Sequence, residues 1–197
     1  MTSIFTITYA IWGLSEFLIS RFLRSTATDK KNMDSNSLKF IWLGIVVSLT
    51  LAIYITSNYN FPISDTAVIK YVGLSLIIIG IVLRLIIVKS LGSLFTADVT
   101  IRQNHTLKTD GFYQFLRHPS YSASLLSFVG FGISLNNWIS LLIVIVAILI
   151  VFLNRIKIEE KALIEFFGQE YIEYKKSTRA LIPFAFFFFF CIKGIAT

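Results

Sequence analysis

A chain of 197 residues is long enough for one domain. Hydrophobic residues make up 55% of it and charged residues 15%, against about 25% charged in a typical soluble domain, so charges are too few for a water-soluble surface. The net charge is +7, but Lys and Arg lie between long apolar runs, which indicates contact with anionic lipid head groups and not with nucleic acid. One cysteine excludes an intrachain disulfide, and two widely spaced histidines do not supply the ligands of a typical zinc site.

Five apolar stretches are predicted to form transmembrane helices, because a helix needs about 20 mostly apolar residues to cross the hydrocarbon core. In chain order they are residues 4–22, 38–57, 67–91, 119–135 and 137–154. The first lacks a basic flank and a cleavage signal, so we expect it to be a retained helix. Asn136-Asn137 predicts a tight hairpin between the last two. The apolar segment from Ala180 to Ile192 is too short to span, contains Pro183 and is predicted to be an interfacial helix.

Basic residues occur in alternate connections between these stretches. The connection between the first two helices, the 92–118 segment and the 155–183 segment carry Lys and Arg, whereas the 56–67 connection and the Asn136-Asn137 turn carry none. By the positive-inside rule, this alternation predicts a multi-pass protein with its N-terminus outside and with the 92–118 and 155–183 segments and the C-terminus in the cytoplasm.

Away from the ends of the predicted helices, two residues are charged, Glu16 in the first and Arg84 in the third, each a few residues from the cytoplasmic end. Charges inside a membrane are costly and are usually paired or functional. The structural interpretation is an ion pair between the first and third helices, or an Arg84 side chain that extends to the head groups. The functional interpretation places Arg84 in the lining of a substrate pocket.

The first cytoplasmic segment contains a dense run of polar and aromatic residues between His105 and Tyr121. Pro119 favours the first turn of a helix, so we expect the fourth helix to begin there, with His118 and Ser120 around its N-terminal end. Free backbone N–H groups at a helix N-terminus suit an anionic or hydrogen-bonding ligand. An interfacial helix start with close helix packing is the alternative interpretation.

The second cytoplasmic segment begins with a cation and an anion at helical spacing. Arg155 and Glu159 are four residues apart and therefore share one face of a helix that emerges from the membrane. They form either a solvated ion pair or a pair of charges presented to a charged ligand. The predicted hairpin between the fourth and fifth helices brings this pair close to Pro119, which favours the second interpretation.

Together, these two segments resemble the isoprenylcysteine carboxyl methyltransferase family, which includes phospholipid methyltransferase-like relatives. The resemblance covers about residues 91–183 and depends on the order and spacing of several short fragments. These are Leu91-Gly92, His105-Thr106-Leu107, Gly111-x-Tyr113, Arg117-His118-Pro119-Ser120-Tyr121, Arg155-x-x-x-Glu159-Glu160 and Phe167-Gly168-x-x-Tyr171-x-x-Tyr174.

The resemblance implies an all-α integral membrane protein with one domain and a cofactor pocket on its cytoplasmic side. Residues 1–91 would supply three transmembrane helices, residues 92–183 the cofactor-binding and catalytic half, and residues 184–197 an apolar tail. The implied cofactor is S-adenosyl-L-methionine. The residues implied to contact it are His105, Thr106, Leu107, Lys108, Tyr113, His118, Pro119, Ser120, Tyr121 and Glu159. Arg155 would bind the methyl acceptor and would form the catalytic pair with Glu159.

The activity implied by the resemblance is methylation of a lipid-like acceptor in the membrane, with carboxyl O-methylation of a prenylcysteine as the favoured reaction. A phospholipid amine or a small thiol is the alternative acceptor, and an amine would require a base, such as Glu160 or His118. A non-enzymatic membrane scaffold is the second alternative. Membrane lipids and the prenylated acceptor are the expected partners, and neither a metal nor nucleic acid is expected.

Overall fold

The computed structural model of the chain describes residues 3–22, 37–92 and 106–181. This part contains six α-helices and a short 3₁₀ helix, Gly111–Gln114. The α-helices are α1 (Ser3–Phe22), α2 (Ser37–Asn58), α3 (Val68–Leu91), α4 (Pro119–Ser134), α5 (Trp138–Phe167) and α6 (Gln169–Ser177). The predicted all-α fold is confirmed, and the β-structure of the described ranges is one isolated parallel bridge between Leu116 and Arg179.

Within the described residues, four helices are long and apolar enough to cross a membrane: α1, α2, α3 and α5. α4 begins at Pro119, as the sequence predicted, and has 16 residues. At 1.5 Å per residue it is about 24 Å long, shorter than a hydrocarbon core of about 30 Å. The prediction of a helix at this place is confirmed, whereas the count of five complete spans stays a prediction.

α5 is longer than the predicted fifth helix. The apolar pattern ends at Asn154, but the helix continues through Arg155 to Phe167. Good helix formers such as Lys, Glu, Ala and Leu are frequent in this extension, and neither proline nor glycine interrupts it. The helix ends at Gly168, whose φ of 56° is in the left-handed region that favours glycine. At 1.5 Å per residue, the 30 residues of α5 are about 45 Å long, more than a hydrocarbon core of about 30 Å requires.

Close packing of backbones joins α3 to α4. A Cβ atom added at Gly73 would lie 2.4 Å from the backbone nitrogen of Ser134, and one added at Gly80 would lie 2.8 Å from the carbonyl oxygen of Ala123. Small residues at helix interfaces allow this approach between helices inside membranes. α3 and α4 are therefore held at a separation that no larger side chain at these positions permits.

Aromatic rings fill the space between α1, α4 and α5. Trp12 of α1 packs edge-on against Phe128 of α4, with ring centroids 4.8 Å apart, and Phe128 meets Phe152 of α5 at 6.0 Å. These rings belong to the buried apolar core. Many large apolar side chains on the outer faces of the long helices are exposed, as lipid-facing positions require.

The hairpin between α4 and α5 is confirmed. Asn136 has a φ of 52°, and its side chain binds Ile63 and Ser64 of the connection that precedes α3. Asn137 caps α5, because its Oδ1 accepts hydrogen bonds from the backbone nitrogens of Ile139 and Ser140. The turn makes α4 and α5 antiparallel, so the start of α4 lies beside the far part of α5.

α6 has no counterpart among the predicted helices, because its sequence is mostly polar. The predicted interfacial helix between Ala180 and Ile192 lies outside the described residues except for its first two positions. The predicted division of the domain at residues 91 and 183 stays a prediction.

Candidate active site

The two predicted polar segments meet at one end of the helical bundle. α4 begins directly after His118, and the hairpin brings the extended part of α5 back to the same end. Tyr121 in the first turn of α4 and Glu159 in the extension of α5 are in hydrogen-bond contact. Sequence reasoning expected this proximity from the hairpin, and the structure confirms it.

Glu159 is the centre of this cluster. Its Oε1 accepts a hydrogen bond of 2.6 Å from the Tyr121 hydroxyl and one of 3.0 Å from Nε of Arg155. Its Oε2 lies 3.4 Å from Nδ1 of His118. One carboxylate therefore joins three other residues that the family resemblance implied as site residues.

The cluster is largely closed to solvent. The Arg155 side chain is 1% exposed and the His118 side chain 6%, whereas 19% of the Glu159 side chain is exposed. The fully solvated Arg155–Glu159 pair that the sequence left open is therefore not what forms, because Arg155 is buried and Glu159 is only partly exposed. The neighbouring carboxylate offsets part of the cost of burying the arginine charge. Of these three side chains, that of Glu159 is the most accessible to a ligand.

His118 lies between two carboxylates of α5. Its Nε2 is 3.5 Å from Oε1 of Glu160 and makes no hydrogen bond among the described residues. Burial lowers the pKa of the His118 ring, but the neighbouring carboxylates of Glu159 and Glu160 outweigh burial and raise this pKa above its ordinary value. The ring therefore keeps its positive charge to a higher pH than an exposed histidine does.

Glu160 connects the start of α4 to α6. Its Oε1 accepts a 2.7 Å hydrogen bond from Nε of Arg117, and its Oε2 pairs with Nζ of Lys175. Arg117 also donates to the backbone carbonyl oxygens of Lys175 and Thr178. Sequence reasoning missed the roles of Arg117 and Lys175 in this network, because the three charges lie on different segments and share no local spacing pattern.

The chain after α6 pairs with the chain before α4. The Arg179 backbone nitrogen donates to Phe115, that of Arg117 donates to Arg179, and that of His118 donates to Ala180, over 2.7–3.1 Å. This short parallel pairing, residues 178–181 against 115–118, fixes the backbone of His118. The Ser122 hydroxyl adds a hydrogen bond to the carbonyl oxygen of Leu181.

Tyr113 lies next to this cluster and is held through its backbone. The Tyr174 hydroxyl donates a 2.6 Å hydrogen bond to the carbonyl oxygen of Tyr113. Burial raises the pKa of the Tyr174 phenol to about 12 and also raises the pKa of the Tyr113 phenol, to which nearby acidic groups contribute. Both phenols are therefore neutral at physiological pH.

The remaining predicted site residues lie at different distances from the cluster. Ser120 is buried in the first turn of α4, where Arg84 of α3 binds it. Pro119 lines an apolar groove of about 420 Å³, together with side chains of α3, α4 and Leu181. Thr106 is exposed, Leu107 is partly buried, and Lys108 pairs locally with Asp110 at 2.9 Å. His105 lies outside the described residues.

Of the interpretations that the sequence left open for the two intramembrane charges, the ion pair is the one that forms. Nη2 of Arg84 lies 3.1 Å from Oε2 of Glu16, and the two side chains are 13% and 15% exposed. The pair joins α1 to α3. Arg84 reaches Ser120 through its other terminal nitrogen, so the structural interpretation and a role at the site are both compatible with its position.

The part of the chain that contains this cluster is similar to a known protein family. The model of the isoprenylcysteine carboxyl methyltransferase family matches residues 72–165, a range that includes Arg84, His118 and Glu159. Protein-S-isoprenylcysteine O-methyltransferase B of Arabidopsis thaliana is 34% identical over 186 residues, which cover 93% of this chain and 87% of the relative. Protein-S-isoprenylcysteine O-methyltransferase A of the same plant is 31% identical over 188 residues, 93% of this chain and 95% of the relative.

The fold also has a counterpart among solved structures. It is similar to the eukaryotic intramembrane Ras methyltransferase, an isoprenylcysteine carboxyl methyltransferase, with a TM-score of 0.64 and 27% sequence identity. The match covers 90% of this chain and 64% of the solved chain, so this protein spans about two thirds of the length of that structure.

Proposed function

The chain belongs to the isoprenylcysteine carboxyl methyltransferase family, and from this premise we propose that it transfers a methyl group from S-adenosyl-L-methionine to the α-carboxylate of a prenylated cysteine. The observation that carries the proposal is the Arg155–Glu159 pair at the end of a bundle of membrane helices. A cation that orients a carboxylate, placed where apolar helices leave the membrane, suits an acceptor with a charged head and a lipid chain.

The residues at the start of α4 fit the proposed cofactor. When bound, S-adenosyl-L-methionine supplies an activated methyl group on a positively charged sulfur. Glu159 offers a partly exposed carboxylate to cationic or hydrogen-bond-donating groups, and the Tyr121 ring offers cation–π attraction. Nε2 of His118 is a buried polar atom without a hydrogen bond among the described residues, as expected of a site that accepts a polar ligand.

Other residues complete the proposed cofactor site. The first turn of α4, with Pro119 and Ser120, provides a helix N-terminus that favours the cofactor carboxylate. Tyr113 provides a neutral aromatic wall beside it. The family resemblance is the support for including the segment from His105 to Lys108.

Arg155 would hold the acceptor without deactivating it. An α-carboxyl group, whose ordinary pKa is about 3.5, is already ionised at neutral pH, so its attack on the methyl group needs no base. Arg155 is 1% exposed in this structure, so its guanidinium would have to open toward the acceptor to bind the carboxylate with two parallel hydrogen bonds. Because Glu159 also binds Arg155, the guanidinium is shared, and the acceptor oxygen retains more negative charge for the attack. The main contribution of the protein is then orientation of the two reactants.

The contacts of the two candidate bases favour a carboxylate acceptor over an amine. An amine must lose a proton before it attacks. Glu160 is occupied by Arg117 and Lys175, and the raised pKa of His118 keeps that ring charged to a higher pH. Neither residue is placed as a free base beside Glu159.

We place this site on the cytoplasmic side of the membrane, with the N-terminus of the chain outside. The alternation of basic connections supports this orientation. The prenyl chain of the acceptor would lie among the apolar helices, and its carboxylate would reach Arg155 at the boundary where α5 leaves the hydrocarbon core.

The proposed reaction is tested by methyl transfer in proteoliposomes that contain the purified protein. Three acceptors are offered with methyl-labelled cofactor: S-farnesylcysteine with a free carboxylate, its α-amide, and phosphatidylethanolamine. The proposal predicts a base-labile methyl ester on the free acid alone. Label on phosphatidylethanolamine, or on the amide as strongly as on the acid, would overturn carboxyl methylation.

A further inference from the structure

Arg84 connects three helices close to the proposed cofactor site. Its Nη1 donates to the carbonyl oxygen of Ser120 at 2.9 Å and lies 3.0 Å from the Ser120 hydroxyl oxygen. Its Nη2 pairs with Glu16, and the Ser124 hydroxyl donates a 3.0 Å hydrogen bond to the other oxygen of Glu16. The network therefore extends from α1 through α3 to the first turns of α4.

A membrane helix does not need such a network merely to pack. Arg84 lies seven residues before Leu91, the last residue of α3, or about 10 Å along the helix, and its charge is costly at that depth. Close backbone contacts at Gly73 and Gly80 already hold α3 against α4. An ion pair of this kind contributes little net stability compared with apolar packing, and joining α1 to α3 does not require the additional contact of Arg84 with Ser120.

The point at which Arg84 reaches α4 suggests what the pair does. Ser120 is the second residue of α4 and lies between His118 and Tyr121, both in contact with Glu159. A guanidinium has no acceptor, so the Ser120 hydroxyl must accept from Arg84, and its own hydrogen is left to be donated elsewhere. Arg84 thus fixes both the backbone of Ser120 and the direction in which its hydroxyl group points.

We propose that Arg84 is a positioning residue for the cofactor site, held by Glu16 and acting through Ser120. It fixes the first turn of α4 and presents the Ser120 hydroxyl as a donor, and so sets the affinity for S-adenosyl-L-methionine without touching it. This inference depends on the proposed function, because the turn that it positions is part of the same site.

The first test measures cofactor affinity by calorimetry and acceptor KM by methyl transfer in detergent-purified full-length protein. Ser120→Ala removes the hydroxyl and little else, and should raise the cofactor Kd about tenfold, as expected for loss of one charge-assisted hydrogen bond. Arg84→Lys should also raise the cofactor Kd. The double variant of Arg84 and Ser120 should lose less binding free energy than the sum of the two single variants, because both substitutions break the same contact. The acceptor KM should stay within about twofold, and Lys89→Met, an exposed cation on α3, serves as the matched control.

A charge exchange separates positioning from simple helix pairing. In the double variant Glu16→Arg with Arg84→Glu, an ion pair again joins α1 to α3, but a glutamate at position 84 has no hydrogen to donate to the Ser120 carbonyl. Positioning predicts that the exchange recovers the thermal midpoint lost in the two single variants while the cofactor Kd stays raised. Recovery of both the midpoint and the Kd would overturn the inference.

The cofactor Kd distinguishes failure of the positioning role from failure of the proposed function. A cofactor Kd that Ser120→Ala leaves unchanged would overturn the positioning role alone, even if the exchanged variant does not fold. Well-folded wild-type protein that binds no cofactor would overturn the proposed function, and with it this inference.

Discussion

The hydroxyl of Tyr121 on α4 donates a hydrogen bond of 2.6 Å to Oε1 of Glu159 on α5. The two residues are 38 positions apart, and the Asn136-Asn137 turn brings them together by making the helices antiparallel. The same oxygen of Glu159 also accepts a hydrogen bond from Arg155, so the Tyr121 contact affects how strongly this carboxylate binds the cation.

Tyr121→Phe tests this contact. It keeps the ring and removes a hydrogen bond to a charged group worth about 1.5–3 kcal/mol, so kcat/KM for methyl transfer should fall about 10- to 100-fold. Tyr54→Phe, at an exposed tyrosine on α2, is the matched control and should leave the rate unchanged. Equal rates for the Tyr121 variant and wild type would show that the hydrogen bond has no part in the reaction.

Removal of either charge of the Arg155–Glu159 pair should reduce activity. Arg155→Ala removes the proposed holder of the acceptor, and Glu159→Ala the proposed partner of the cofactor. Each should lose at least about tenfold in turnover, roughly 1.4 kcal/mol of barrier. Lys157→Ala, an exposed cation between them in sequence, is the control. Wild-type turnover in both folded variants would contradict the assigned site.

The close packing of α3 against α4 predicts a sharp difference between two glycines. A methyl group at Gly73 would lie 2.4 Å from a backbone atom of α4, which cannot move away without separating the helices. Gly73→Ala should therefore destabilise the protein by about 1–3 kcal/mol, the usual cost of overpacking. Gly13→Ala on α1, where the added methyl group meets nothing within 4 Å, should not. Thermal midpoints in one detergent measure both, and equal midpoints would contradict the packing.

His118 predicts the direction of one pH effect on stability. Burial opposes its charge, but Glu159 and Glu160 outweigh burial and raise its pKa, so the folded state binds the proton more tightly than the unfolded state. This stabilisation is complete below the unfolded pKa of about 6.5 and is lost as the pH rises through the folded-state pKa.

The measurement is the thermal midpoint between pH 6 and pH 9, a range that begins near the ordinary histidine pKa of roughly 6.5. As the pH rises over this interval, the thermal midpoint of wild type should fall relative to that of the His118→Gln variant. A wild-type midpoint that rises with pH relative to that of the variant would show that the sign is wrong.

Local features of the sequence predicted much of this structure. Pro119 marked the start of α4, Asn136-Asn137 marked the hairpin, and the cost of intramembrane charge made a Glu16–Arg84 pair one of the interpretations that the sequence left open. Each of these inferences rests on a strong local preference or on a large energetic cost.

Features that depend on tertiary contacts were beyond the sequence. Helical spacing put Arg155 and Glu159 on one face but does not state what covers that face, so the burial of Arg155 was unexpected. Likewise, Arg117 and Lys175 meet at Glu160 from separate segments. The extension of α5 was missed because hydropathy reports the membrane boundary and not the helix end.

Cofactor binding by the Glu159 cluster is the central claim, and calorimetry of S-adenosyl-L-methionine with the purified wild-type protein and the Glu159→Ala variant tests it most directly. The account predicts micromolar binding by wild type and its loss in the variant, with both proteins folded. Folded wild-type protein that binds no cofactor, or a variant that binds as tightly as wild type, would contradict it.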